Sequence, residues 1–259
     1  MQIISVPYFV GEPMARFTVP QPAVVVDPPM SDHGQVYDTS RAQGPGDVAQ
    51  HRMAVLYREL AGLVGVLDAP LVYAGDCLAV IGVLAGLQRR DIDPTLYWFD
   101  AHGDFHTWAT TGSSFLGGMP LAMLTGRGEQ TIVAATGLTP IADEKVLLIN
   151  ARDLDAGEGD AVAASGITML SVHDVATSSP PPGPIYVHLD VDVVDPSDLP
   201  AVNYPARHGP SADEVRDAIH HLARTGRVVA ASVSSWNPAL PGAERAAEVT
   251  RSIMGIFED

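Results

Sequence analysis

Two acidic runs carry the strongest chemical signal in this 259-residue chain. Asp100-Ala101-His102-Gly103-Asp104 spaces two carboxylates and an imidazole two residues apart, and Asp190-Val191-Asp192 repeats the carboxylate spacing. In an extended segment such residues point to one side. Each run follows a short apolar stretch with strand character, Thr95–Phe99 and Ile185–Leu189. Four carboxylates gathered at one sheet edge repel one another unless a cation lies between them. Carboxylate oxygens with an imidazole suit a hard or borderline divalent ion such as Mn²⁺. A pair of such ions can acidify a shared water enough to give hydroxide near neutral pH. One D-x-D alone often only shapes a turn or cap. Two runs, each at a strand end, point to metal. Asp195-Pro196, just beyond, reads as a turn former.

The elements that must position these runs alternate between strand and helix. Strands are expected at Ile3–Val10, Ala23–Val26, Leu71–Ala74, Thr95–Phe99, Val146–Ile149, Ile167–Val172, Ile185–Leu189 and Val228–Val233. Helices are expected at Val48–Leu63, Cys77–Leu87, after Asp155, at Ser211–Leu222 and at Gly242–Ile256. Ser211 and Glu214 form a capping-box pattern. The Pro/Gly-rich stretch Gly11–Gly46 reads as irregular. Such alternation implies a single α/β domain over residues 1–259, with a mainly parallel sheet covered on both faces. Ligands then bind at the carboxyl ends of the strands. Three strands end there in polar clusters, the third being Ala74-Gly75-Asp76-Cys77.

Composition narrows the function further. The net charge of −16, with no cluster of Lys and Arg, opposes binding to nucleic acid. Apolar residues at 46% and charged residues at 18% exclude a disordered chain. The most apolar stretch, Leu60–Ala74, is too short for a membrane span and contains Asp68. One cysteine permits no intrachain disulfide. Met1 to Pro13 lacks the pattern of a signal peptide, so a cytoplasmic protein is expected.

These motifs, in this order, resemble the arginase/agmatinase (ureohydrolase) family. The resemblance runs from Ala74-Gly75-Asp76 through Arg152-Asp153-Leu154-Asp155 and Asp190 to Pro196, ending at Asn237-Pro238. It implies a three-layer α/β/α domain with a two-manganese centre. One metal would be held by Cys77, Asp100, Asp104 and Asp190, and the other by His102, Asp100, Asp190 and Asp192. It also implies hydrolysis of a guanidino compound by a metal-bridging hydroxide, giving urea or a substituted urea plus an amine. Ser113 and Asp155 match positions that contact the substrate's carboxylate and amino groups. The family points to homo-oligomers and a small-molecule guanidino partner.

Departures from the family pattern bear on the substrate. Cys77 stands where most members have His. A branch with Cys at this place, including the hydroxyarginine hydrolase of D-cycloserine biosynthesis, is similar also at Gly103-Asp104-Phe105, Thr110-Thr111 and Leu116-Gly117-Gly118-Met119. Gly117 replaces the proton-shuttle His, and His106, where the family usually has Asn, is the candidate substitute, as substrate contact or proton shuttle. Ser235 replaces the guanidinium-binding Glu, Tyr204-Pro205 alters a Thr-Pro, and Phe115 replaces an Asn. Phe115 is expected to line a more apolar pocket rim, which Trp108 and Trp236 could join, although a Trp is more often a packing residue. A thiolate in the first shell adds a negative charge and the lost Glu removes one. A softer thiolate donor weakens the metals as Lewis acids, which suits a less basic guanidine such as an N-hydroxylated or modified arginine. The alternatives are hydrolysis of another amidine or amide C–N bond, or a metal-binding member without catalysis. His188 is expected in the core, and His220 and His221 on an exposed helix face.

Overall fold

In a computed structural model the described residues are 1–17, 19–20, 23–26, 48–234 and 236–258. They form an eight-stranded parallel sheet and a small antiparallel pair. The strands are β1 (Gln2–Val6), β2 (Tyr8–Phe9), β3 (Glu12–Pro13), β4 (Ala23–Val25), β5 (Pro70–Ala74), β6 (Thr95–Phe99), β7 (Val146–Ile149), β8 (Thr168–Leu170), β9 (Ile185–Asp190) and β10 (Val228–Ser234). The helices are α1 (Val48–Val64), α2 (Ala79–Gln88), α3 (Pro120–Leu124), α4 (Thr131–Thr136), α5 (Glu158–Ala163), α6 (Val172–Thr177), α7 (Ala212–Ala223) and α8 (Ala243–Met254). Sheet order is β4-β1-β5-β10-β9-β6-β7-β8. β5 and β6, consecutive in the sheet's chain order, therefore stand apart, with β10 and β9 inserted between them. A gap of this kind opens a crevice at the strands' carboxyl ends.

Alternation along each strand feeds two separate cores. Leu96, Trp98, Val146 and Leu148 pack on one face with Met53, Leu56, Leu60 and Val64 of α1 and with α2. Tyr97, Phe99, Leu147 and Ile149 pack on the other with Val215, Ile219 and Leu222 of α7 and Val249 and Ile253 of α8. This period of two is what a parallel sheet with both faces covered requires. Helix α2 is buried all round. It approaches α1 through a seam of small residues, and a Cβ at Gly86 would lie 2.5 Å from Val64 Cβ and 2.9 Å from the Ala61 carbonyl.

Several boundaries differ from the sequence expectation. The run Ile3–Val10 breaks after Val6, and Tyr8–Phe9 turns back onto Glu12–Pro13 as a hairpin. Ile167–Val172 divides, because Ser171 forms a capping box with Asp174 and starts α6 at Val172. Helix α2 starts at Ala79, since the Asp76 carboxylate accepts the Leu78 amide and holds 76–78 as a turn. The capping box at Ser211 and Glu214 is present. Residues 27–46 of the expected irregular stretch lie outside the described residues. No helix among the described residues is long and apolar enough to cross a membrane.

The glycine seam gives a direct test. Gly86→Val should overpack the α1–α2 contact and destabilise by about 1–3 kcal/mol. Urea unfolding should show a lower midpoint at an unchanged slope.

Candidate active site

Three strand ends deliver the acidic runs to one place. Asp100 follows β6, Asp190 ends β9, and Cys77 follows β5 within the turn into α2. β10 lies between β5 and β9, and its last residue, Ser234, is in register with Asp190. The Cys77 thiol donates to Asp190 Oδ2 at 2.9 Å, and its sulfur lies 3.0 Å from Ser234 Oγ. Asp190 Oδ1 accepts the Asp192 amide at 3.0 Å, which turns Asp192 back toward Asp100. Asp104 has φ of 48°, a left-handed conformation that Asp tolerates better than most residues. Its carbonyl accepts the amides of Leu121 and Ala122 at the start of α3. These two bonds tie the backbone of Asp104 to the start of α3.

The ligating atoms fall into two groups. A sulfur of Cys77 and oxygens of Asp100 and Asp104 lie within 4.8 Å of one another, as do atoms of Asp100, His102 and Asp192. His102 Nδ1 is 3.1 Å from Asp192 Oδ2 and 3.4 Å from Asp100 Oδ1. Its other nitrogen faces Asp153 at 4.0 Å. Trp98 Nε1–H donates to Asp100 Oδ2 at 2.9 Å. Asp100, the member common to both groups, is thus fixed from behind by an indole.

Electrostatics make this cluster costly by itself. Burial, reinforced by Asp100 and Asp190, pushes the pKa of Asp104 well up. Burial with Asp192 and Asp100 does the same to Asp190. Burial, with Asp100 adding to it, raises Asp192 to about 6. The Cys77 thiol is pushed up by burial and by Asp190, Asp104 and Asp100. Burial opposes charge on His102, yet its bonds to Asp100 and Asp192 outweigh this and raise it to about 12. Burial comes first in the carboxylate and thiol shifts and crowded negative charge adds to it, so a cation in the cluster would offset both. The donor set of oxygens, one imidazole nitrogen and one sulfur fits a pair of divalent metals. Asp195 is not in the cluster. Its carboxylate accepts Ser197 N and Oγ and Gly209 N, the turn role expected of it.

A cavity of about 460 Å³ opens over the cluster. Cys77, His102, Asp104, Asp190 and Asp192 form its floor, and His106, Ser113, Phe115, Asp155 and Tyr204 line it as well. His106 Nε2 is 3.2 Å from Asp155 Oδ2, and Nδ1 is 3.2 Å from Thr110 Oγ1. Asp155 therefore faces an imidazole; the N-cap position of α5 falls on Gly157. Ser235 lies outside the described residues. Trp108 and Trp236 do not line the cavity. Trp108 donates its N–H to Glu129, and Trp236 is buried against Phe17 and Tyr73. His188 is in the core as expected, but only Nδ1 is bonded, to Ser232, while Nε2 has no hydrogen-bond partner. His220 and His221 are half-buried rather than exposed, because α7 packs against both α6 and α8.

Some site residues escaped the sequence reading. Glu158 is buried, and its two oxygens accept the amides of Phe105 and Asp155 at 3.0 and 3.2 Å. It ties the His106 loop to the Asp155 loop. Arg152 donates to the carbonyls of Asp192 and Ala206, which anchors the loop carrying Tyr204. Asn237 donates to Asn203, a cavity residue. Asp76 also reaches the lining, although Tyr57 and the amides of Val10 and Leu78 occupy its carboxylate. Phe9 comes from a strand whose separate existence the sequence did not signal.

A parallel α/β sheet thus carries carboxylates, an imidazole and a thiol together at one crevice, a donor set of the kind that holds divalent metals. The chain belongs to the arginase family, whose model matches residues 21–256. It is 33% identical over 204 residues to an arginase of Bacillus subtilis, covering 72% of this chain and 69% of that protein. The crystal structure of Bacillus cereus arginase is 32% identical with a TM-score of 0.73, covering 81% of this chain and 79% of that one. Native Bacillus caldovelox arginase is 25% identical with a TM-score of 0.79, covering 100% and 98%.

Glu158→Gln tests the tie between the loops. The amide keeps one acceptor oxygen but sets an N–H₂ against a backbone N–H in a buried place, at a cost of about 1–3 kcal/mol. Thermal unfolding should report the loss.

Proposed function

We propose that the protein is a binuclear metal-dependent amidinohydrolase that cleaves a C–N bond of a guanidino compound less basic than arginine, such as an N-hydroxylated one. The observation that carries this is the pair of overlapping donor groups, Cys77/Asp100/Asp104 and Asp100/His102/Asp192, on the floor of the cavity. Asp190, hydrogen-bonded to both Cys77 and Asp192, links the two groups, so Asp100 and Asp190 are the candidate shared ligands. When bound, two divalent cations, Mn²⁺ by family resemblance, would supply Lewis-acid activation and an acidified water.

The chain's own residues supply the rest. Asp153 and Asp155, wall carboxylates outside the metal donor set, draw a guanidinium inward. Asp104, a member of the Cys77 donor group on the cavity floor, would help hold the metal and is the candidate to orient the attacking group. His106, tethered between Asp155 and Thr110, is positioned to pass a proton to the departing amine. Gly117 offers no titratable group for that task. The Cys77 thiol must lose its proton to water before its sulfur can ligate, since Asp190 must itself stay deprotonated as a ligand.

Metal-loaded protein incubated with arginine, N-hydroxyguanidines, amidines and amides provides the test. Urea or hydroxyurea released faster from the hydroxyguanidines than from arginine is the expected result. Equal or faster turnover of arginine overturns the substrate assignment. Product only from amidines or amides moves the chemistry to another C–N bond, and two bound metals with no turnover refute catalysis. His106→Ala should lower kcat roughly 100-fold or more if the imidazole transfers a proton, with metal content unchanged by elemental analysis.

A further inference from the structure

The cavity has an aromatic wall that this chemistry does not use. Phe9, Phe115 and Tyr204 line it from three distant segments of chain. The rings of Phe9 and Phe115 are 6.1 Å apart at 27°, and those of Phe115 and Tyr204 are 5.3 Å apart at 46°. Phe115 is the central member, and its place depends on Gly117. A Cβ at position 117 would fall 2.3 Å from Phe115 Cε1 and 2.5 Å from Cζ. The ring therefore occupies the volume into which any side chain at 117 would project. Phe115 and Gly117 act as one steric unit, and neither can be enlarged without moving the ring.

The wall leaves apolar surface open at the cavity. Tyr204 is 52% exposed, and Phe9 and Phe115 are half-buried. Ring surface held toward water gains free energy when a ligand covers it. Phe9 and Phe115 are close to stacked while Tyr204 is tilted to Phe115, and such a wall offers a flat group both offset-stacked and tilted contacts. The rest of the lining opposes an anionic tail. No Lys or Arg is among the described lining residues, and the imidazole of His106 is already paired with Asp155.

We propose that Phe115, seated on Gly117 and flanked by Phe9 and Tyr204, determines specificity for a guanidino compound whose substituent is aromatic or otherwise flat and unsaturated, in place of the aliphatic α-amino acid tail of arginine. This rests on the guanidine-hydrolase reading, and its test is a binding measurement that needs no turnover. Phenethylamine and L-ornithine, amines that the site cannot hydrolyse, are titrated calorimetrically into the metal-loaded protein. Phenethylamine should bind roughly tenfold more tightly, the upper end of what one aromatic contact supplies. Phe115→Leu, which keeps apolar bulk over Gly117 but removes the flat face, should abolish most of that preference. Tyr204→Ala, at an exposed position, should reduce it without affecting the fold. Gly117→Ala should reduce it as well, by displacing the Phe115 ring. Ornithine binding as tightly as phenethylamine, or a preference that survives Phe115→Leu, overturns the proposal. Preference for phenethylamine with no urea from any guanidine supports the wall and overturns the hydrolase reading. Urea release without the preference does the reverse.

Discussion

Mutual repulsion among buried carboxylates is the constraint around which this molecule is arranged. Asp100, Asp104, Asp190 and Asp192 are all at most 7% exposed, and they meet at the carboxyl edge of the sheet. Burying even one unpaired carboxylate is expensive, and burying several together is prohibitive without compensating charge. The chain offers only partial relief of its own. His102 lies between Asp100 and Asp192, the Cys77 thiol donates to Asp190, and the Trp98 indole donates to Asp100. These contacts fix the orientation of the oxygens more than they neutralise them. A rigid frame is needed to hold charges that would otherwise separate, and two fully packed cores on the two sheet faces provide it.

Much of that frame was legible in the sequence. β6 and β7 lie where the apolar runs Thr95–Phe99 and Val146–Ile149 placed them, because buried parallel strands read as continuous apolar stretches. The acidic spacing also marked the floor of the site, but not through strand geometry: Val191–Val193 is a 3-10 turn and Asp104 is left-handed, so turns after the strands gather the carboxylates. What escaped depends on contacts between distant segments. Nothing near Glu158 indicates that its carboxylate will receive the amides of Phe105 and Asp155. Nothing near Phe9 indicates that a break after Val6 will carry its ring to Phe115. The tryptophans left two roles open, rim or packing, and only tertiary contacts decide between them. Trp108 and Trp236 have polar N–H groups and large faces suited to a pocket rim, yet packing placed them elsewhere.

The walls of the cavity differ in kind from its floor. The floor is assembled from residues at strand ends, held between the two cores. The walls are loops, and loops can change chemistry without disturbing the sheet. Gly117 and Phe115 illustrate this, with the absence of one side chain making room for another. His106 and Asp155 likewise form a pair across two loops, joined beneath by Glu158. A family fold can therefore keep its charge cluster while the recognised tail of the ligand is rewritten.

The central claim is that the carboxylate cluster exists to hold two cations, with Cys77 as a ligand. Anomalous diffraction at the manganese edge from crystals soaked in Mn²⁺ tests it most directly. The account predicts two peaks on the cavity floor, one contacting the Cys77 sulfur with Asp100, Asp104 and Asp190, the other contacting His102 with Asp100, Asp190 and Asp192. A single peak, none at all, or a pair that leaves the Cys77 sulfur uncoordinated would contradict it.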